Sequence, residues 1–413
     1  AAHVRWTGPI GQGGFGMMNL VPRDRWDHRL GDLFSALGAA LVPRGEVPGL
    51  ALPGLGSALP VRSGRAGLVV AIRALGLRPG ARVGVPLFCC PVVFHAIAEA
   101  GCSVRFIDVD PVTFCLSPDD LADKKSHLDA VVAVHMFGNL CPMEKMKEII
   151  GGMPMIEDCA QALGSRLDGR PAGGFGDIAF FSFRAGKYVS AGEGGALFSG
   201  DKIGFSRAAQ IVREMPIPSR VSDAGHAMKV YLKSILRSRP LYGLVGHSLW
   251  EAYNDRVDLS DDQDIALRQI SRADLSIIRR RLPFLEAVIE EHRANAAFYS
   301  VHLKVEPKML TAEKPGAFYN RYLYPIAFSS TEARDRMAAQ LFRRRIDTMK
   351  YLDDVVRIAS ERFGYEGDCP VSERLSKNVL VIPSYHGLTE RDVKRITESV
   401  NSVWDDVRSL GVV

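Results

Sequence analysis

A lysine, Lys187, lies between two apolar runs, DIAFFSF before it and GGALFS after it. Both runs are typical of buried strands. Gly186, Gly192, Gly194 and Gly195 surround the lysine, and glycine permits tight turns and close approach of the backbone to a ligand. Burial lowers the pKa of an amine and frees it to attack a carbonyl, so Lys187 is a candidate nucleophile. A plain surface loop is the alternative, and these residues alone leave it open.

An acid, Asp158, follows a third apolar run in MIEDCAQALGS. A carboxylate at the end of a strand can pair with a cation at the floor of a pocket. Aspartate also favours the N-cap position of helices, so the run alone supports both interpretations equally.

The turn SGRAG at residues 63–67 leads into a helix-like segment. The N-terminus of a helix has free backbone N–H groups and is a ready site for an anion. Ser182, which lies five residues before Lys187, is a candidate to add a hydroxyl to the same anion. A helix start without any ligand is the alternative.

These three features together match one cofactor. Pyridoxal 5′-phosphate requires a phosphate cradle, an acid that pairs with its pyridinium nitrogen, and a lysine that forms a Schiff base. The conjunction of the turn at 63–67, Asp158 and Lys187 predicts this cofactor, although no single motif does. The pattern predicts no metal site.

From residue 61 onward, near-continuous apolar strand runs alternate with amphipathic helical runs. The alternation predicts an α/β fold with a mainly parallel sheet covered by helices on both faces. Ligands of such sheets bind at the carboxyl ends of the strands, which is where Ser63, Asp158, Gln161 and Ser182 would lie.

The rest of the chain is expected to differ from this pattern. Residues 205–265 break the alternation and are interpreted as a lid or a subunit-contacting excursion, with a membrane-touching helix as the alternative. A helix over about 266–303, kinked at Pro283, leads to strands and helices of a smaller α+β domain. The expected boundaries are 1–265 for the large domain and 266–413 for the linking helix and small domain.

Composition limits the possible functions. The 413-residue chain is 47% hydrophobic and 24% charged, with a formal net charge of +5, which gives no case for a nucleic-acid partner or membrane contact. Seven cysteines without a CxxC pair suggest neither a disulfide framework nor a zinc site, so a reducing cytoplasm fits. The first residues have no apolar stretch typical of a secretory signal.

The run GQGGFG at residues 11–16 satisfies the dinucleotide-binding pattern on paper. That pattern requires a strand before it and a helix after it, and the following MMNLVPRDRW contains a proline and no apolar periodicity. We expect a flexible N-terminal segment instead.

Several longer stretches resemble one family over roughly residues 60 to 400. The stretches SGRAGL, VHMFG, IEDCAQALGSRLDGRPAGGFGDIAFFSFRAGK, GEGGAL and the C-terminal CPVSERLSKNVLVIPSYHGLTERDVKRI are similar to successive motifs of the DegT/DnrJ/EryC1/StrS aminotransferases. The resemblance implies fold type I of the PLP-dependent transferases, a homodimer, and amination of a keto sugar attached to a nucleotide.

The resemblance also assigns roles to residues. Lys187 matches the lysine that binds the cofactor, Asp158 the acid at the pyridine nitrogen, and Gln161 the residue near the phenolic oxygen. The phosphate-binding positions match Ser182 and the turn Ser63-Gly64-Arg65.

The chain departs from the family at three points. Arg65 stands where the family has threonine or a small residue, and Cys90 stands at the cofactor-binding position where the family has an aromatic side chain that stacks on the cofactor. Phe88, two positions earlier, is a candidate substrate contact. The cross-subunit motif Asn-Tyr-Arg-Met-Ser aligns best with LRQIS at 267–271, where Arg268 is the candidate replacement. His135, after the run AVVAV, is a candidate substrate contact, with a core histidine as the alternative.

The predicted activity is therefore transfer of an amino group from an amino acid donor, such as glutamate, to a keto substrate. The alternatives are a PLP-dependent lyase or carbon–carbon bond-forming enzyme on the same scaffold, and a PLP-binding regulator without turnover.

Overall fold

The computed structural model describes residues 19–42, 47–254 and 265–409. The GQGGFG run at 11–16 lies outside these residues. The N-terminal elements are α1 (Leu30–Leu41), β1 (Leu50–Leu52), β2 (Gly56–Val61), α2 (Gly64–Ala74), β3 (Arg82–Pro86), α3 (Val92–Glu99), β4 (Ser103–Ile107), α4 (Pro118–Lys124), β5 (Ala130–Val134), α5 (Met143–Ile150), β6 (Met155–Asp158), β7 (Arg166–Leu167), β8 (Arg170–Pro171), β9 (Ile178–Ser182) and β10 (Gly195–Phe198).

The central sheet has eight strands in the order β1-β2-β10-β9-β6-β5-β3-β4. The pairs β3–β4, β3–β5, β5–β6 and β6–β9 are parallel, whereas β10 runs antiparallel to both β9 and β2, and β1 runs antiparallel to β2. The predicted mainly parallel α/β sheet is confirmed. Strand β5, Ala130–Val134, is buried at every position, as expected for a strand covered on both faces.

The parallel strands place the candidate residues at one edge of the sheet. Strands β2 and β3 end just before Ser63 and Cys90, and strand β5 ends just before His135. Strands β6 and β9 end at Asp158 and Ser182 themselves. Since these five strands share one direction, their carboxyl ends lie at the same edge, where α/β folds bind ligands.

Helices follow the central sheet in the chain. They are α6 (Lys202–Glu214), α7 (Arg220–Leu236), α8 (His247–Asn254), α9 (Arg272–Arg281) and α10 (Leu285–His302). The predicted kink is present, because a short 3₁₀ turn, Leu282–Phe284, separates α9 from α10 at Pro283.

A smaller sheet forms in the C-terminal part. Its elements are β11 (Ala317–Phe318), β12 (Tyr324–Ala327), α11 (Thr331–Arg343), β13 (Met349–Lys350), α12 (Val355–Phe363), α13 (Pro370–Asn378), β14 (Val379–Ile382) and α14 (Glu390–Ser409). Strands β12, β14 and β13 form an antiparallel sheet, and β11 pairs with β7 of the earlier hairpin. Trp404 and Ile326 are buried in the core of this part.

The segment before α1 crosses to this C-terminal part. Val21 pairs with Ile346 in a parallel bridge, and Arg23 forms a 2.7 Å ion pair with Asp347. Val21 belongs to the same hydrophobic cluster as Ile346. The segment before α1 therefore packs against the C-terminal part of the chain. Within the described residues, no helix is long and apolar enough to cross a bilayer.

Candidate active site

Lys187 lies in a turn that is held between β9 and β10. Phe183 N–H donates to Gly194 O at 2.9 Å, and Ala185 N–H donates to Gly192 O at 3.0 Å. Gly192 and Gly194 have φ angles of 96° and 118°, which side chains other than glycine rarely adopt. The glycines therefore allow the backbone to fold back and present the lysine at the end of the sheet.

The amine of Lys187 lies beside an aromatic ring and several charges. Nζ is 4.5 Å from the centroid of the Tyr322 ring. Burial and the positive charge of Arg184 lower the pKa of Lys187 to about 8, and the charge of Asp158 opposes them. A lowered pKa increases the fraction of neutral amine near neutral pH, which is the form that attacks a carbonyl.

Asp158 ends β6 with only 5% of its surface exposed. Its Oδ1 accepts a 2.9 Å hydrogen bond from Ala160 N–H. Within the part of the chain that the structure describes, no group donates to Oδ2. Burial raises the pKa of Asp158 to about 6, although Ala160 and Lys187 act in the opposite direction. A carboxylate oxygen without a donor, on a residue that is otherwise buried, is suited to a cationic N–H ligand.

A cradle for an anion forms where α2 begins. Ser63 caps the helix, and its Oγ accepts a 3.2 Å hydrogen bond from Ala66 N–H. A Cβ built on Gly64 would lie 3.1 Å from Cβ and 3.4 Å from Oγ of Ser182, so this hydroxyl lies at the helix N-terminus. Arg65 is partly buried in the same turn, and burial lowers its pKa. N–H groups, hydroxyls and a guanidinium together suit a phosphate.

The close approach of β10 to this turn requires a glycine. A Cβ on Gly195 would lie 2.7 Å from both the Phe181 carbonyl oxygen and the Ser63 carbonyl carbon. Any side chain at this position would therefore displace the backbone of the anion cradle.

A buried charge network lies under the same turn, and the sequence analysis did not find it. Arg62 pairs with Asp274 at 2.9 Å and with Glu193, and His226 Nε2 lies 3.1 Å from Asp274. Asp274 is 1% exposed and Arg62 is 4% exposed. Since the network joins β2, the glycine run, α7 and α9, it fixes the backbone on which Ser63 lies.

Gln161 lies in the turn after β6 and is held by its side-chain amide. Its Oε1 accepts from Phe137 N–H at 3.1 Å, and its Nε2 donates to Tyr351 Oη at 3.0 Å. Gln161 is 8% exposed. The amide therefore has a fixed orientation, and its place near the cofactor stays a prediction.

Phe88 and Cys90 differ in their exposure at the end of β3. Phe88 has no exposed surface and packs against Phe114, Phe137 and Tyr351, with centroid distances of 5.9, 6.3 and 6.1 Å. This corrects the expectation of a substrate contact at Phe88, because the ring is inside the core. Cys90 is exposed, so the accessible group at this strand end is a thiol.

His135 is also corrected as a substrate contact. It has no exposed surface, its Nδ1 accepts from Cys141 N–H at 3.2 Å, and its Nε2 lies 3.0 Å from Glu157 Oε2. The backbone donor at Nδ1 leaves the proton on Nε2, which donates to Glu157. Both nitrogens are used, so the alternative of a core histidine is the one that the structure supports.

Glu157 is saturated by hydrogen bonds under the site. Besides His135, the backbone N–H groups of Gly173, Phe175 and Gly176 donate to its carboxylate. Ligand atoms of His135, Glu157 and Cys159 lie within 4.8 Å of one another. Because the histidine and the glutamate bind each other and backbone N–H groups, this pair supports the backbone under the site.

Arg268 is not brought to the site within the described residues of this chain. Its N–H donates to Ala266 O at 3.0 Å, and the neighbouring Gln269 N–H donates to Pro216 O at 2.9 Å. No described contact joins Arg268 to Lys187 or to the anion cradle. Its predicted cross-subunit role stays a prediction.

The sequence analysis missed the contribution of the C-terminal part to the site. Tyr322 and Tyr351 contact Lys187 and Gln161 from segments more than 100 residues later in the chain. The runs YLYPIAF and MKYLDD show an aromatic residue near a strand, which is common in cores, so no local signal marks these tyrosines. Only the packing of the two sheets reveals them.

Comparison with known proteins agrees with this geometry. Residues 51–227 and 268–401 match the sequence profile of the DegT/DnrJ/EryC1/StrS aminotransferase family. The chain belongs to this family. It is therefore an aminotransferase of the PLP-dependent fold type I class, as the sequence predicted.

Two curated relatives in the DegT/DnrJ/EryC1/StrS family match most of the chain. GDP-perosamine synthase of Escherichia coli O157:H7 is 27% identical over 352 residues, 84% of this chain and 85% of that protein. UDP-N-acetyl-3-dehydro-alpha-D-glucosamine 3-aminotransferase of Acidithiobacillus ferrooxidans is 28% identical over 360 residues, 85% of each. A putative sugar aminotransferase of Streptococcus pneumoniae, solved in its PMP form, shares the fold with a TM-score of 0.73 at 15% identity, covering 95% of this chain and 100% of that one.

The residues of this DegT/DnrJ/EryC1/StrS aminotransferase fit pyridoxal phosphate. Asp158 is only 5% exposed, and its Oδ2 has no donor among the described residues, which suits the protonated pyridine nitrogen. The space beside Gly64 would be filled by a Cβ against Ser182, which suits a phosphate close to the backbone. Lys187 presents its amine at the same edge of the sheet.

Proposed function

We propose that this enzyme transfers an amino group from an amino acid, with glutamate as the first donor to test, to the keto group of a nucleotide-linked sugar. The observation that carries the proposal is the convergence of Lys187, Asp158 and the Ser63–Gly64 turn at one edge of the sheet. The names of the two curated relatives support the substrate class, since both refer to sugars linked to a nucleotide.

Each cofactor contact has a candidate residue. The first turn of α2, with Ser63, Gly64, Arg65 and Ser182, would bind the phosphate, and Gln161 would face the phenolic oxygen. Asp158 would keep a proton on the ring nitrogen. When bound, pyridoxal phosphate supplies a carbonyl that takes the amino group and a ring that accepts electrons.

Lys187 has two roles in this proposal. It would hold the cofactor through its amine at rest, and once an amino donor had displaced it, the free amine would be the base that removes the proton from the donor's α-carbon. Burial and Arg184 favour the neutral amine that this step requires, because they lower the pKa of Lys187 to about 8. The same amine would deliver that proton to the former aldehyde carbon of the cofactor, which completes the first half of the reaction. In the second half, when the ketone is aminated, it would move a proton in the opposite direction, from this carbon to the former carbonyl carbon of the substrate.

The charge of Asp158 must persist while the ring nitrogen is protonated. In the cofactor-free protein, burial raises the pKa of Asp158 to about 6. A pyridinium N–H beside the carboxylate would favour the ionised form and lower this pKa. Cofactor binding and ionisation of Asp158 are therefore coupled in this proposal.

Assembly and location are part of the same proposal. A homodimer would complete the site, with Arg268 as the candidate residue that reaches a partner subunit. The segment 205–265 would contact that partner or cover the substrate. The cytoplasm is the proposed compartment, in keeping with seven cysteines that are all unpaired in the structure.

One observation favours a second candidate function, a PLP-dependent lyase or carbon–carbon bond-forming enzyme. The exposed side chain after β3 is Cys90, and Phe88 is buried, so no aromatic ring from this loop faces the site. A cofactor bound at this edge would meet a thiol here in place of a stacking ring. The non-catalytic regulator is the third possibility and has no residue in its favour.

The reaction is best tested in the reverse direction, because nucleotide-linked amino sugars are more stable than keto sugars. The enzyme would be incubated with 2-oxoglutarate and a panel of GDP-, UDP- and TDP-linked amino sugars, and glutamate would be measured. The proposal predicts glutamate from at least one nucleotide sugar, and none from the same amino sugar without its nucleotide or from Lys187→Ala. Formation of glutamate only from free amino sugars or amino cyclitols would contradict the substrate class.

A further inference from the structure

Tyr322 contacts the amine of Lys187 from the C-terminal part of the chain. Lys187 Nζ lies 4.5 Å from the centroid of the tyrosine ring. Tyr322 lies two residues before β12, and its ring is partly buried. A cation over an aromatic face is attracted by the negative face of the ring, and the attraction grows where water is excluded.

Two hydrogen bonds join the tyrosine segment to the lysine turn. Tyr322 Oη donates to Gly186 O at 3.2 Å, and Tyr188 Oη donates to Asn320 O at 2.5 Å. The rings of Tyr188 and Tyr322 are 5.6 Å apart. Residues 186–188 and 320–322 are thus held together through the two chain neighbours of Lys187. These contacts restrict the positions that the Lys187 side chain can adopt.

The tyrosine segment is itself fixed to the large sheet. Asn320 has no exposed surface, and its Nδ2 donates to Gln161 O and Leu163 O at 2.9 Å each. Its backbone N–H donates to Ser165 Oγ at 2.9 Å. Arg321 has a φ of 59°, in the left-handed region that few non-glycine residues adopt. A strained residue beside a fully bonded asparagine indicates that the position of Tyr322 is strongly specified.

We propose that Tyr322 is a positioning residue for the catalytic amine, and that its ring face holds Lys187 when the amine carries a proton. This inference rests on the proposed function, which gives the amine of Lys187 its catalytic role. In that reaction Lys187 becomes a cation each time it takes a proton from the donor's α-carbon, and the ring of Tyr322 lies where it stabilises this cation. The hydroxyl anchors the ring to the turn that carries the lysine.

Other groups also act on the amine, and the test must hold them constant. Arg184 on the same turn, Asp158 at the end of β6 and Cys90 after β3 all contribute to the electrostatic environment of Lys187. None of them is altered by a substitution at position 322. Tyr322→Phe keeps the ring and removes the hydroxyl, whereas Tyr322→Leu and Tyr322→Met remove both.

The experiment measures the charge state of Lys187 without cofactor or substrate. Full-length enzyme is stripped of pyridoxal phosphate and exposed to a small amine-modifying reagent, such as cyanate, over a range of pH. The modified fraction of the Lys187 peptide is read by mass spectrometry, with the peptide of exposed Lys202 as the internal reference. The midpoint of the pH dependence reports the pKa of Lys187.

We expect the midpoint to fall by about half a unit to one unit in Tyr322→Leu and Tyr322→Met, because the protonated amine loses the ring. Tyr322→Phe should keep the wild-type midpoint. Midpoints that are equal in all four proteins would overturn the proposal, as would an equal shift in Tyr322→Phe. If Tyr322 had only a structural role, its replacement would lower the thermal stability of the enzyme and leave the midpoint of Lys187 modification unchanged.

A second measurement uses the holoenzyme. The visible absorbance of the lysine-bound cofactor is titrated with pH in wild type, Tyr322→Phe and Tyr322→Leu. A displaced titration in Tyr322→Leu alone agrees with the proposal, and identical titrations contradict it. Since neither measurement depends on turnover, a negative result leaves the aminotransferase proposal untouched, and an inactive enzyme leaves this inference untouched.

Discussion

Ser182 lies against Gly64, with its Cβ 3.1 Å and its Oγ 3.4 Å from the position that a Cβ on Gly64 would occupy. Ser182 ends β9, and Gly64 is the first residue of α2. The contact brings a hydroxyl to the N–H groups at the start of a helix, so the anion cradle depends on a glycine at this position. Lys187 follows Ser182 by five residues, so the amine and one hydroxyl of the cradle come from the same segment of the chain.

Gly64→Ala should weaken cofactor binding. The added methyl group would press on Ser182 and move either the hydroxyl or the helix start by a few tenths of an ångström. We expect the apparent Kd for pyridoxal phosphate to rise about tenfold, equivalent to ~1.4 kcal/mol. Fluorescence titration with the cofactor measures it. Gly38→Ala is the control, because nothing lies within 4 Å of a Cβ there, and an unchanged Kd in Gly64→Ala would refute the cradle.

Asp158→Asn should slow the half-reaction with the amino donor. The amide keeps the shape of the side chain but no longer stabilises a positive charge on the ring nitrogen. Removing one preorganised electrostatic contact typically costs about 100- to 1,000-fold in rate, and we expect a loss of that order. Stopped-flow absorbance with glutamate measures the rate. Asp119→Asn, at an exposed position, serves as the control, and a near-normal rate in Asp158→Asn would remove the residue from the assigned role.

Glu157→Gln should destabilise the fold. The buried carboxylate accepts from His135 and from three backbone N–H groups of residues 173–176. The amide has one acceptor oxygen, so it leaves donors unpaired and faces some of them with its own NH₂. We expect a loss of about 2 to 3 kcal/mol in the free energy of unfolding, measured by urea denaturation of the cofactor-free protein.

The same substitution has a defined pH dependence. Burial acts to raise the pKa of Glu157, but the hydrogen bonds from His135 and the backbone outweigh it and lower the pKa below the ordinary 4.5. A lowered pKa of an acid contributes stability that is complete above the ordinary value and is lost as pH falls through the folded-state value. The stability difference between wild type and Glu157→Gln should therefore shrink below about pH 4.5. If the stability difference between the two proteins grew on acidification, the pKa of Glu157 would be raised in the folded state and not lowered.

Asn320→Ala should loosen the site from the C-terminal side. Its amide donates to two buried carbonyl groups in the turn that contains Gln161, and both would lose their partner. Leaving buried acceptors unpaired costs about 2 to 4 kcal/mol in the free energy of unfolding. Asn401→Ala is the control, because the Asn401 side chain makes two hydrogen bonds near the surface, where water replaces them. Equal losses in both variants would mean that burial of Asn320 has no special effect.

Much of the fold follows from the sequence because the apolar runs are local signals. The run AVVAV forms β5, and the run IAFFS forms β9, with every position of β5 buried. Asp158 and Ser182 could be placed at the functional edge because each ends such a run, and Lys187 because it follows β9 by five residues. The direction of β10 and the pairing of β2 depend on long-range contacts, so alternation of strands and helices could not predict them.

The errors in the site have a different cause. Phe88 and His135 stand at strand ends like the true site residues, but their side chains turn inward toward an aromatic cluster and toward Glu157. Sequence position fixes where a residue lies along a strand, and packing decides which way its side chain points. Tyr322 was missed for the same reason, since its contact with Lys187 depends on how the C-terminal part packs on the large sheet.

The most direct test of the account is an absorbance spectrum of the purified protein with pyridoxal phosphate, taken before and after excess glutamate. Wild type and Lys187→Ala would be compared, with Lys202→Ala as a control at an exposed position. We expect wild type and Lys202→Ala to show the band of lysine-bound cofactor, which glutamate converts to the pyridoxamine phosphate form, and Lys187→Ala to show neither. A lysine-bound band that persists in Lys187→Ala would contradict the central assignment.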